Sequence, residues 1–156
     1  MAEMGYMSVL EVVTEFWAWS GVGAEELVVS NDFGNLILKD ADNKFWRLCP
    51  EDVYCNVVAE SIDAYNKLIQ DEEFLEDWHM IAMSSQAKQS LGTLVEGEKF
   101  CLKVPGVLGG DYLGANVIKA PLEDILASSG RLGQHIQDQT DGSKINLADV
   151  DYLSEY

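Results

Sequence analysis

The sequence predicts an α+β protein: a single domain over residues 1–156, with a central, mostly antiparallel sheet flanked by helices. Three observations predict it. Helical and extended segments mix without the regular strand–helix–strand alternation of parallel-sheet folds. Two extended segments flank the turn-type cluster Asp40-Ala41-Asp42-Asn43, as in an antiparallel hairpin. Apolar residues make up 47% of the 156 and aromatic residues 10%, enough for one continuous core. That composition excludes a disordered chain, and 13 Gly and 3 Pro without a period exclude collagen-like and low-complexity readings.

Taken in order, residues 8–19 place Val9, Leu10, Val13, Phe16 and Trp17 at helical spacing. Gly21 stands where a C-cap glycine would, so a helix is expected near 8–20, although Val12, Val13 and Thr14 are β-branched and weaken it. Extended segments follow at 26–30, 33–39 and 44–48, then 53–59 after Pro50. Ser61 is placed to cap a helix over 62–70, and Asp71 to cap a longer one over 72–90. The first turns of that longer helix carry Glu72, Glu73, Glu76 and Asp77 and its end carries Lys88, in agreement with the helix dipole. Residues 98–104 alternate, with Phe100, Leu102 and Val104 on one side and Lys99, Cys101 and Lys103 on the other. After the loop 105–110 come a strand over 113–120 and a helix over 121–138 that opens on Pro121, where a first-turn proline is tolerated. Asp141-Gly142 then turns into a last strand over 143–147. The predicted core includes Trp46, Phe74, Trp78, Phe100, Leu102, Leu122, Ile125 and Leu126.

Charge is the strongest compositional signal. Ten Lys and Arg against 27 Asp and Glu leave a formal net charge of −17. A field of that sign repels nucleic-acid backbones and anionic lipid, and speeds encounter with basic partners. The bland alternative is that the charge only keeps the protein dispersed. The first 38 residues hold six acids and no Lys or Arg, and residues 50–78 hold nine acids against Lys67 alone. Folded side by side, these segments would make one strongly negative face. No apolar run is long enough to span a membrane, and Met1-Ala2-Glu3-Met4 lacks the basic region of a signal peptide. Cys49, Cys55 and Cys101 are an odd set without CxxC spacing, which fits buried thiols in a reducing compartment. A cytoplasmic protein is expected.

Motifs for chemistry are few. His79 and His135 are the only histidines, without HExxH or paired cysteines, so no metal site is expected, and His79 reads as a partly buried structural residue. Asp40-Ala41-Asp42-Asn43-Lys44 starts like a calcium loop but lacks its glycine and terminal glutamate. No GxSxG is present, and no catalytic residue or cofactor is assigned. The stretch Pro105-Gly106-Val107-Leu108-Gly109-Gly110 has amides able to cradle an anion but no P-loop lysine, so a sharp connection between strands that needs positive φ angles is the favoured reading over phosphate binding. In Phe45-Trp46-Arg47, Trp46 is expected to pack and Arg47 to pair with a local acid.

Asp32-Phe33-Gly34-Asn35-Leu36, then Lys44-Phe45-Trp46-Arg47-Leu48-Cys49-Pro50-Glu51, then Val57-Val58-Ala59-Glu60-Ser61 form one ordered block. Lys103-Val104-Pro105-Gly106-Val107-Leu108-Gly109-Gly110, with Tyr112, Ala115 and Asn116, forms a second. Together they resemble the C-terminal domain of type VI secretion immunity proteins, whose named examples protect against DNase effectors. The resemblance spans about residues 26–148. The segment 57–61 and its helix are also similar to the broader Smi1/Knr4-like immunity superfamily. The resemblance implies an intracellular antitoxin that binds and neutralises a cognate effector without catalysis. Longer members carry an N-terminal domain similar to a tRNA-amidotransferase accessory module, for which residues 1–25 are too few.

On this reading the partner is a toxin, basic if it is a nuclease, and its contacts are expected at exposed acids in the two basic-poor segments. The candidates are Glu25, Glu26, Asp32, Glu51, Asp52 and Glu60, with Gly109, Gly110, Asp111 and Tyr112 as a second group. Two other classes compete: a small-ligand binder or enzyme built on loop 105–110, and a regulatory module that binds other host proteins.

Overall fold

The computed structural model describes residues 8–140 and 142–156. The reading of Met1–Met4 and the turn residue Asp141 lie outside the described residues. Four strands, β1 (Ala24–Ser30), β2 (Leu36–Asp40), β3 (Phe45–Cys49) and β4 (Tyr54–Ala59), form an antiparallel meander in the order β1-β2-β3-β4. A separate antiparallel ribbon joins β5 (Glu98–Leu102) to β6 (Val117–Pro121). The helices among the described residues are α1 (Val9–Trp17), α2 (Ile62–Leu68), α3 (Glu72–His79), α4 (Ile81–Leu91) and α5 (Leu122–Gln137). The fold is α+β with an antiparallel central sheet, as the sequence predicts.

Strand alternation sorts the layers. Leu36 pairs with Leu48 and Leu38 with Trp46, and this face packs on Val12, Val13 and Trp17 of α1 and Leu126 of α5. Ile37 and Phe45 belong to the other face, where Ala59, Tyr65, Phe74 and Trp78 cover them from β4, α2 and α3. The β5–β6 ribbon is buried on both sides. Phe100, Leu102 and Val117 join Phe33, Met80 and Ala87, while Cys101 and Ala120 join Ile125, Leu132 and the C-terminal Tyr152 and Leu153.

Local chemistry explains the helix starts. Ser8 and Glu11 form a reciprocal capping box at α1, with Glu11 N donating to Ser8 Oγ at 3.2 Å and Ser8 N donating to Glu11 Oε1 at 2.8 Å. Ser61 and Asp71 cap α2 and α3 as expected. The α1–α5 contact depends on two glycines in α5. A Cβ on Gly130 would stand 2.5 Å from Phe16 O, and one on Gly133 would collide with the Trp19 ring. These glycines weaken α5 intrinsically but let α1 approach closely, and Trp17 Nε1 donates to Leu126 O at 2.9 Å across that contact.

Several expectations need correction. The helix expected over 72–90 is two helices, broken at Met80, which adopts φ 47°. Asn31 Nδ2 donates to Trp78 O at 2.8 Å, taking a carbonyl that a continuing helix would use, and Met80 is buried beside Phe33 and Phe100. The strand expected from residue 33 starts at Leu36, because Asn31 Oδ1 accepts from Phe33 N and Asn35 N, both at 3.0 Å, and fixes a turn. The strand expected from 113 starts at Val117, after a 3-10 turn over Gly114–Asn116. No strand forms over 143–147; a 3-10 turn over Leu147–Val150 follows, capped by Asn146. Trp78, Phe100, Leu102, Leu122, Ile125 and Leu126 are buried as expected, while Trp46 and Phe74 are half-buried.

Candidate functional site

The sequence blocks singled out above meet in a buried polar chain. Arg47, on the central strand β3, is almost fully buried, and its Nε and Nη2 donate to Asn35 Oδ1 at 3.1 and 3.0 Å. Asn35 Nδ2 donates to Glu51 Oε1 at 2.8 Å, and Tyr112 donates its hydroxyl to Glu51 Oε2 at 2.9 Å. The other end of the guanidinium pairs with Asp77 of α3, and the group lies 5.2 Å from the centroid of the Trp78 ring. Arg47 therefore pairs with an acid 30 residues further on rather than with a local one. Burial opposes its charge, but Asp77 together with Tyr54 and Cys49 outweighs that and raises its pKa. Burial acts the opposite way on Glu51, pushing its carboxyl above the ordinary range despite the hydrogen bonds from Tyr112 and Asn35.

Glu51 is thus not the exposed contact expected of it. It is 4% exposed, because its carboxylate ties the end of β3 to the loop before β6. Tyr112, expected as an exposed aromatic, is half-buried through the same bond and packs edge-on against Phe33. Asp32 is half-buried as well. Ser84 Oγ donates to it at 2.5 Å and Lys88 Nζ lies 3.1 Å away. Partial burial works against its ionisation, yet Ser84 and Lys88 hold the carboxyl below its ordinary value. Glu25, Glu26, Asp52, Glu60, Gly109 and Asp111 are exposed, and Gly110 is half-buried.

The candidate acids do not form one cluster. Ala24 pairs with Asp40 and Phe45 with Ala59, so Glu25, Glu26 and Glu60 sit at the end of the sheet that carries the 40–44 turn. Ser30 pairs with Leu36 and Cys49 with Tyr54, which puts Asp32, Glu51 and Asp52 at the opposite end. The two basic-poor segments also part company: α1 covers one face of the sheet, while α2 and α3 cover the other. A register shift between Ala24 and Glu26 leaves two successive glutamates exposed on the edge strand β1. The densest acidic surface belongs to the second segment. Of its nine acids only Glu51 is buried; the other eight are exposed, Asp77 while paired with Arg47.

Four amides of loop 105–110 are already engaged within the protein. Val107 N donates to Glu51 O, Leu108 N and Gly110 N to Pro105 O, and Gly109 N to Gly106 O. Gly109 has φ 94°, and a side chain on Gly110 would collide with the Val104 carbonyl, so the glycines serve the turn itself. Shallow clefts of about 210, 450 and 380 Å³ lie around Tyr156, Phe16 and His79, and none of these three includes a residue of that loop. The three cysteines are buried with free thiols, and burial raises Cys55 and Cys101 to about 12, which opposes the thiolate a nucleophile needs. His79 is exposed, contrary to the expectation of partial burial, because it ends α3 where the chain reverses at Met80. Among the described residues no group of three or more His, Cys, Asp or Glu is arranged to hold a metal. Among the described residues no helix is long and apolar enough to cross a membrane.

Fold and surface together define an acidic α+β domain whose polar interior ties its loops to the sheet. Residues 59–130 match the family described as T6SS immunity protein Tdi1, C-terminal, and this supports a type VI secretion immunity protein. That family implies binding to a cognate effector. The match takes in the second sequence block, 103–116, and leaves the block at 32–51 outside it. No curated protein and no solved structure matches the chain, and the broader Smi1/Knr4-like likeness has no counterpart in these comparisons.

Proposed function

We propose that this protein binds a cognate type VI secretion effector and neutralises it in the cytoplasm without catalysis, by placing an acidic surface over the toxin's active site. The observation that carries this reading is the exposure of eight carboxylates between Asp52 and Asp77, a stretch whose one lysine is Lys67, with seven of the eight within the residues that match the immunity family. A nuclease must hold a polyanion, so its groove is basic, and a rigid acidic surface competes with phosphate for that groove. Long-range attraction of this kind acts mainly on the association rate.

The experiment first asks whether the adjacent gene encodes a secreted toxin, whose absence would weaken this reading, and then follows binding of the purified chain to that neighbouring toxin at several salt concentrations. Screening shortens the reach of surface charges to about 8 Å at physiological ionic strength. Association should slow steeply as salt rises. Association that is independent of salt would leave the acids as solubilising groups only.

A further inference from the structure

We propose that the loop 104–113 is the apolar anchor of the effector complex, inserting into an apolar recess rimmed by Lys and Arg on the toxin. The inference rests on the effector-binding reading above and adds where affinity resides. Val104, Val107 and Leu113 are 41%, 45% and 51% exposed. Single exposed aliphatics are ordinary, but three within ten residues of one loop call for a partner. A tight hairpin needs only about two linking residues, whereas β5 and β6 are joined through residues 103–116. The extra length carries the aliphatic side chains outward.

The loop is also held in shape before any partner arrives. Asn116 Oδ1 accepts from Val104 N at 2.9 Å, and Asn116 Nδ2 donates to Val104 O at 3.1 Å and Asp111 O at 2.8 Å. Tyr112 and Val107 N both bond Glu51, which anchors the loop to β3 through the buried chain that ends at Arg47. An apolar loop already fixed in its bound shape loses little conformational entropy on docking. This gives the buried Glu51 a role: it positions the anchor and does not touch the partner.

Charge selects the occupant. The Asp52 carboxylate lies against Gly106, Asp111 Oδ1 accepts from Leu113 N, and Lys103 is the single cation between residues 103 and 113. An apolar tip with two carboxylates at its rim, on a chain of net charge −17, fits an apolar recess with a cationic rim. A second copy of this chain would bring like charge to the same place.

The test measures binding of the neighbouring toxin to the wild-type chain, to the double variant Val107→Ser/Leu113→Ser, and to Leu113→Arg, which sets a cation against the proposed cationic rim. Both should bind about 100-fold more weakly, through faster dissociation and with unchanged melting temperature. Binding by both variants within about threefold of wild type would overturn the anchor while leaving the effector-binding reading standing. Failure of the wild-type chain to bind the toxin at all would overturn both. Sedimentation showing a wild-type dimer that the double variant loses would assign the loop to self-association and overturn the proposal.

Discussion

Tyr112 donates its hydroxyl to Glu51, 61 residues earlier in the chain, and so withdraws from open solvent two residues that sequence places on the binding surface. Their bond closes the loop before β6 onto the end of β3. Around it the fold separates two kinds of feature: a satisfied polar interior, and acids and aliphatics left facing solvent.

Glu51→Gln tests that bond through pH. The folded-state pKa of Glu51 lies above its ordinary value of 4.5, mainly through burial. Between the unfolded and folded values the native state binds the extra proton, so stability falls as pH rises through that window. Gln keeps an oxygen for Asn35 and offers an amide to Tyr112 without titrating. Wild type should therefore lose stability relative to the variant as pH rises from about 4.5. Denaturant melts at matched pH values check this, and a difference that does not change with pH would be inconsistent with a buried, titrating Glu51.

Gly133→Ala should destabilise the protein even though alanine favours the helix by about 1 kcal/mol. The new Cβ would meet the Trp19 ring and Val53. Overpacking of this kind costs about 1–3 kcal/mol, and the Trp19 turn that follows α1 must shift to relieve it. The readout is the urea midpoint at unchanged slope.

Asn31→Ala removes the donor to Trp78 O and the acceptor for two buried amides. Buried groups left without partners cost about 1–3 kcal/mol each, so the α3–α4 break should loosen first. Hydrogen exchange at Phe33 and Asn35 amides should rise before global unfolding.

The triple reversal Glu25→Lys, Glu26→Lys, Glu60→Lys alters exposed positions at one end of the sheet. It should slow toxin association several-fold at low salt, leave the melting temperature near wild type, and converge with wild type at high salt. An equal effect at all salt concentrations would point to direct contact rather than steering.

What the sequence made legible, and what it hid, follow one physical division. Short-range signals were readable: the hairpin about Asp40–Asn43, the caps Ser61 and Asp71, the Gly21 stop and Pro121 at the start of α5 each act on their own neighbours. The break at Met80 was not, because methionine is no helix breaker and the competing bond comes from Asn31, 47 residues before the Trp78 carbonyl it takes. The distant partner of Arg47 and the burial of Glu51 were hidden for the same reason, since Asp77, Asn35 and Tyr112 meet them only in the fold. The exposed acids of residues 50–78 were visible as a charge run, but which face of the sheet they cover depends on strand alternation and helix packing. A clue to the buried network was present in hindsight: Asn35, Arg47, Glu51 and Tyr112 all belong to the two blocks that carried the family resemblance.

The most direct measurement is survival of cells that express the neighbouring toxin with and without this chain. The account predicts growth arrest by the toxin alone and full rescue by the wild-type chain, with a one-to-one loss of toxin activity as purified chain is added. Arrest that persists at saturating amounts of folded chain would contradict it.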